Sequence, residues 1–174
     1  AILLSYQDSV IRSVDLASLS TNSWITDSII HFYYTYLEAT SPSPEISLLS
    51  PSIIHLFLML NRNHTSHEEL ITILPRSLVT CNFLFLPINN HRQITTGGTH
   101  WSLLIYSKLD ECFFYYDSLR DSNYHYAKEV ASYIIKLLNV KLCKIRCMNT
   151  PQQWNGSDCG VFLLILSEIL YFRL

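Results

Sequence analysis

The order of periodicities along the chain predicts an α+β fold. Helical spacing dominates the first sixty residues, short aliphatic and aromatic runs begin at Cys81, and helical spacing returns after Asn123. The composition agrees: 174 residues, 49% hydrophobic and only 15% charged, supply the apolar material for one core. We therefore read residues 1–174 as a single domain. Soluble domains usually carry about 25% charged residues, so this balance excludes a disordered chain, a coiled coil and a polar repeat array.

A first helix is predicted from about Asp27 to Leu37, with Thr26 or Asp27 as N-cap and Ile29, Ile30, Tyr33, Tyr34 and Leu37 as its apolar stripe. Ser41-Pro42-Ser43-Pro44 ends it as a loop. Ser50-Pro51 opens a second helix that continues to about Leu60, and Ser66 with Glu69 forms a capping box for a short third one. Cys81 to Ile88, His100 to Ser107 and Cys112 to Ser118 read as strands, the last two antiparallel neighbours across the link 108–111. Asn123 to Leu138 has helical spacing, and Val140 to Cys147 reads as a further strand. After the polar loop Asn149 to Asp158, a final apolar helix runs from Cys159 to about Phe172.

The net charge of −2 gives no general pull toward nucleic acid, and Lys141, Lys144 and Arg146 are too few to change that. Five cysteines, an odd count mostly within apolar runs, point to a reducing compartment rather than a disulfide framework. Cys143 and Cys147 lack a second ligand pair, so no structural zinc is expected. No signal peptide opens the chain, and the longest apolar run, Val161 to Leu166, falls short of the ~20 residues a bilayer requires. The expectation is a soluble, monomeric protein of the cytoplasm or nucleus, without membrane or nucleic-acid partners.

Glycine is scarce: four residues, at 97, 98, 156 and 160. Two of them flank Cys159, which follows a polar loop and starts an apolar helix. Unpaired amides and the positive dipole end at such a place favour a thiolate, lowering a cysteine pKa from ~8.5 by one to several units. Ser157 or Asp158 is available as the cap, and Gly160 leaves room for a substrate backbone. The structural alternative is a buried cysteine that merely begins a core helix. A thiol nucleophile needs a base, and the base an orienting acceptor. Six of the seven histidines fall in polar segments or on helix faces; His100 instead starts a strand directly after Gly97-Gly98-Thr99. Asp117 ends the neighbouring apolar run and is placed to reach that imidazole, though it would equally cap a turn with Ser118. Gln153, six residues before Cys159, is a candidate oxyanion donor together with the Cys159 N–H, or else a loop glutamine bonded to backbone.

Gly98-Thr99-His100-Trp101-Ser102-Leu103-Leu104, Tyr116-Asp117-Ser118 and Pro151-Gln152-Gln153-Trp154-Asn155-Gly156-Ser157-Asp158-Cys159-Gly160 resemble the Ulp-type cysteine proteases, in the same chain order. Leu4-Ser5-Tyr6-Gln7-Asp8-Ser9, Ser23-Trp24-Ile25-Thr26-Asp27 and the stretch from Asn82 through Ala127 resemble the deneddylase branch, the sentrin-specific protease eight type. The resemblance implies a variant of the papain-like fold, with a central, mostly antiparallel sheet between helices and the nucleophile at the N-terminus of the last helix. It implies hydrolysis after the Gly-Gly tail of a ubiquitin-like modifier, with Cys159 as nucleophile, His100 as base, Asp117 as orienter and Gln153 as oxyanion donor. No metal or organic cofactor is implied.

The resemblance further implies that Trp101 roofs a narrow tunnel for the tail. Trp24 and Asp27 would hold the modifier, with Gly98 and Gly160 close to the substrate; a core tryptophan is the alternative for Trp24. Trp154 is read as packing rather than binding. Asn155-Gly156-Ser157-Asp158-Cys159 looks more like the desumoylating branch, which leaves a desumoylase or a deubiquitinase as alternatives, and the early end of the chain leaves an inactive modifier-binding module as another. Relatives continue through further C-terminal helices, so the chain reads as shortened or as a fragment, with the face of Val161, Leu164, Ile165 and Leu170 open to solvent.

Overall fold

A computed structural model of the chain describes residues 1–62, 77–91, 98–141 and 143–174. It begins with a hairpin, β1 (Ile2–Tyr6) and β2 (Ser9–Arg12), followed by a short helix α1 (Ser13–Ala17). Then come α2 (Asp27–Thr40), β3 (Ile46–Leu48), α3 (Pro51–Arg62) and the single turn α4 (Ser77–Thr80). The second half carries β4 (Phe83–Asn89), β5 (Trp101–Ser107), β6 (Cys112–Tyr116), α5 (Tyr124–Leu137), β7 (Lys144–Cys147) and α6 (Cys159–Tyr171).

The main sheet has the order β3-β4-β5-β6-β7. Its three middle strands pair antiparallel, as expected, while β3 and β7 join the edges in parallel, so the sheet is mixed. Side chains alternate across it. Leu84, Leu86, Ile88, Leu104, Tyr106, Phe113 and Tyr115 face one way, onto Ile54 and Phe57 of α3 and Val130 and Ile134 of α5. Phe83, Phe85, Trp101, Leu103 and Ile105 face the other, onto Ile29, Ile30 and Tyr34 of α2 and Leu163 and Tyr171 of α6. With helices on both faces, a central strand reads as a continuous apolar run, and six of the seven β4 residues are buried.

The helix α2 has the expected stripe, with Ile29, Ile30, Tyr34 and Leu37 buried, and it extends to Thr40, just before the Ser-Pro loop. Its N-cap Thr26 makes no side-chain cap bond; the hydroxyl donates instead to Asp15 Oδ1 at 2.8 Å, tying α2 to α1. The capping box at Ser66 and Glu69 lies outside the described residues. On α6, Val161 and Ile165 are exposed, as are Ile169 and Phe172, whereas Leu164 and Leu170 pack partly against the α2-side core. A buried bond of 2.8 Å between the Tyr34 and Ser167 hydroxyls fixes α6 on α2.

Gly160 explains how closely the start of α6 approaches the segment before α2. A Cβ built there would lie 2.9 Å from Cβ of Ile25, closer than real carbon contacts. Gly160→Val is therefore expected to cost about 1–3 kcal/mol of stability through overpacking. Urea unfolding would show it as a lower midpoint, with partial recovery when Ile25→Ala opens the space.

Candidate active site

His100 directly precedes β5 and Asp117 directly follows β6. The antiparallel register, with Leu103 opposite Tyr116, brings these two strand ends side by side. His100 Nε2 donates to Asp117 Oδ1 at 2.6 Å, with both residues buried. The same oxygen accepts the Leu119 N–H at 2.8 Å, while Oδ2 accepts the Tyr115 hydroxyl at 2.6 Å and the Asn123 N–H at 3.1 Å. Burial acts to raise the Asp117 pKa, but these donors outweigh it and hold the carboxyl below the usual range. Burial likewise opposes charge on His100, yet the hydrogen bond to the Asp117 carboxylate, with the nearby Cys159 acting in the same direction, pushes its pKa up to about 9. The His100 backbone is fixed as well. Asn123 Nδ2 donates to the carbonyls of His100 at 3.0 Å and Ile88 at 3.2 Å, from a residue only 1% exposed.

With Nε2 committed to Asp117, Nδ1 is the ring atom left for a thiol. It is buried and has no partner in hydrogen-bonding geometry at rest; such contacts commonly tighten only when substrate is bound. Cys159 is the first residue of α6, 1% exposed, with its sulfur 3.9 Å from the Ser157 carbonyl. The first-turn N–H groups of a helix have no intrahelical partner, which leaves them free for an oxyanion.

The loop before Cys159 is built by its amide side chains. Asn155 Oδ1 accepts the N–H groups of Ser157 at 3.0 Å and Asp158 at 2.9 Å, and its Nδ2 donates to Asp158 Oδ2 at 2.8 Å. Asp158 is the N-cap by position, but no side-chain cap bond is made by it. Gln153 Oε1 accepts from the Ser118 hydroxyl at 2.6 Å, its N–H donates to the Ser118 carbonyl at 2.9 Å, and Nε2 donates to the Asn155 carbonyl at 2.7 Å. This orients the Gln153 amide and leaves Nε2 a second N–H. Gln152 turns under the loop to the carbonyls of Asp117 and Thr150.

Beside the buried Gln153, Trp154 projects outward and is fully exposed, so the expectation that it packs is wrong. Gly160 is buried, and the space its missing side chain leaves is taken by Ile25. Gly98 has φ +123°, and a side chain there would collide with Asn89; it builds the turn that Asn90 completes by accepting the Thr99 N–H at 2.7 Å. Trp101 is buried in the cluster that holds Cys159 and Ile25, and its indole N–H donates to the Ile25 carbonyl at 3.0 Å. Trp24 is half exposed and donates to the Gly156 carbonyl at 2.7 Å. Two indoles thus staple residues 24 and 25 to β5 and to the nucleophile loop. Asp27 is exposed on the first turn of α2, outside these bonds.

Tyr115, Ser118, Asn123 and Asn155 belong to this site and were not singled out from the sequence. Tyr115 sits in an apolar run and Asn123 marks a helix start; only their chain proximity to Asp117 signals a role. Together the geometry holds a thiol, an imidazole and a carboxylate in the order that nucleophilic hydrolysis requires.

Residues 23–174 match the description "Ulp1 protease family, C-terminal catalytic domain". NEDD8-specific protease 1 of Arabidopsis thaliana is 35% identical over 171 residues, covering 97% of this chain and 74% of its own length. Sentrin-specific protease 8 of Homo sapiens is 34% identical over 180 residues, covering 99% of this chain and 84% of its own. Among solved structures, the SUMO protease Ulp1 with its catalytic cysteine oxidized to a sulfenic acid shares the fold, with a TM-score of 0.75 at 18% identity over 98% of this chain and 76% of that one. The Ulp1 protease domain in complex with Smt3, the yeast ortholog of SUMO, gives 0.71 at 20% identity over 99% and 77%.

Proposed function

This chain belongs to the Ulp1 protease family, and on that footing we propose that it hydrolyses the bond after the Gly-Gly tail of a ubiquitin-like modifier, with NEDD8 as the preferred modifier. The observation that carries the chemistry is the buried His100–Asp117 pair at 2.6 Å, whose second ring nitrogen is unpartnered, with Cys159 near enough to act on the imidazole from the start of α6. The choice of modifier is supported by relatives at 34–35% identity over nearly the whole chain, named for NEDD8 or as sentrin-specific protease 8.

In this reading His100 Nδ1 takes the Cys159 proton and the sulfur attacks the carbonyl carbon of the terminal glycine. The tetrahedral oxyanion is met by the free Gln153 Nε2–H and the Cys159 N–H. The imidazolium returns its proton to the leaving amine, and water hydrolyses the thioester with His100 again as base. Trp101 roofs the tail, while Trp24 and Asp27 contact the modifier from the segment their staples hold in place. Binding energy from the folded body of the modifier, remote from the bond, aligns the tail with the sulfur.

Electrophile-tipped NEDD8, SUMO and ubiquitin, incubated with the protein in parallel, test both parts. The expected result is an adduct at Cys159 forming fastest with the NEDD8 probe. No adduct with any probe would reject the protease and leave a modifier-binding module. A desumoylase is the second reading, favoured by the segment Asn155-Gly156-Ser157-Asp158-Cys159, and faster reaction with the SUMO probe would establish it.

A further inference from the structure

Among the described residues four donors reach the Asp117 carboxylate: two come from backbone and one from His100, and the fourth is the Tyr115 hydroxyl. Tyr115 is fully buried, on the sheet face that packs against α5. Its ring packs 5.7 Å from that of Tyr124. The Tyr115 hydroxyl reaches Oδ2, the oxygen turned away from His100, while Oδ1 alone receives the imidazole. A carboxylate rotates about its Cβ–Cγ bond, and a misaimed oxygen weakens a short charge-assisted bond steeply.

We propose that Tyr115 is a positioning residue of this catalytic pair: together with the Asn123 N–H it locks Oδ2, so that Oδ1 stays aimed at His100 Nε2. The inference rests on the reading of Asp117 and His100 as catalytic. Burial and the neighbouring Asp117 charge push the phenol pKa up, so the group remains a donor throughout the working pH range. Other groups acting on the phenol are the Ser102 hydroxyl and the Asp121 carboxylate. Neither replaces its bond to Oδ2.

The test is a double-mutant cycle between Tyr115→Phe and Asp117→Asn, read as the rate of adduct formation with electrophile-tipped NEDD8 and, separately, SUMO. Tyr115→Phe removes one oxygen and keeps the ring, and modifier binding to Cys159→Ala with and without it reports that the protein is folded. In the native background the expected slowing is about tenfold, the scale of one hydrogen bond to a charged group. In the Asp117→Asn background the same change is expected to slow the reaction less than twofold, because no carboxylate is left to aim. Equal slowing in both backgrounds would make Tyr115 merely structural, and a native rate for Tyr115→Phe would remove it from the pair; either result overturns the inference. A native rate for Asp117→Asn alone would instead reject the catalytic pair itself.

Discussion

Cys159→Ala is expected to abolish turnover, with a loss of about 10⁶-fold, the scale seen when the nucleophile of a hydrolytic triad is removed. The argument is chemical rather than structural. Alanine keeps the helix start, the first-turn amides and the Ile25 contact with Gly160, and removes only the sulfur that forms the acyl bond. The neighbouring Ser157 hydroxyl is already engaged with Asn155, where it closes the loop. The modifier should therefore bind with about its native affinity, because its folded body contacts surfaces that the change does not touch. Single-turnover cleavage of a modifier fusion, with calorimetry on the same protein, measures both. Native turnover would end the assignment, and loss of binding would show that the thiol supports the surrounding structure.

Asp117→Asn should be the next most severe, with a loss of about 10⁴-fold by analogy with triad aspartates. The hydrogen bonds show why an isosteric change is so damaging here. Oδ1 accepts from His100 and Leu119, and Oδ2 from Tyr115 and Asn123, so both oxygens face backbone N–H donors. An asparagine has one oxygen, and wherever its NH₂ is placed it opposes a backbone N–H. With the NH₂ toward His100 it also selects the tautomer that carries the proton on Nδ1, where the thiol proton has to go.

The same change has a pH signature. His100 is held near 9 when folded, against ~6.5 for a free imidazole, so its proton is bound more tightly in the native state. That contributes stability in full below about pH 6.5 and loses it as the pH rises through about 9. In Asp117→Asn this decline of Tm between those pH values should flatten. An unchanged slope would mean that Asp117 is not what raises the His100 pKa.

Much of this was legible in the residues, for reasons that differ from element to element. The helices α2 and α5 carry 3.6-residue apolar stripes, α3 opens on Ser50-Pro51, α6 is a long apolar run after a polar loop, and β4 to β6 are short apolar runs between turn signals, so local pattern suffices. The hairpin β1–β2 escaped because Ile2, Leu3 and Leu4 are all exposed, which removes the alternation that marks a half-buried strand. The strand β3 is three residues long, and it pairs in parallel with β4 across α3, a contact that no neighbouring residue announces. In the site, His100, Asp117, Gln153 and Cys159 were candidates by position, each with a structural alternative, and it was the resemblance to the Ulp-type proteases in the same chain order that singled them out. That Ile25 packs over Gly160 was not legible, because a glycine at a helix start looks the same whatever fills the space beside it. Tyr115 and Asn123 act through a buried carboxylate, and side chains that aim other side chains leave no spacing signature.

The way the two halves of the site are joined sets the order in which they can mature. The base and its carboxylate stand 17 residues apart at one end of an antiparallel hairpin, a local pairing that closes early. The thiol joins them only when α6 docks across the sheet, and the Trp24 staple that holds its loop spans 132 residues. On the proposed roles, a chain emerging from the ribosome would carry its acid–base pair well before its nucleophile, and remain inert toward its neighbours until α6 seats.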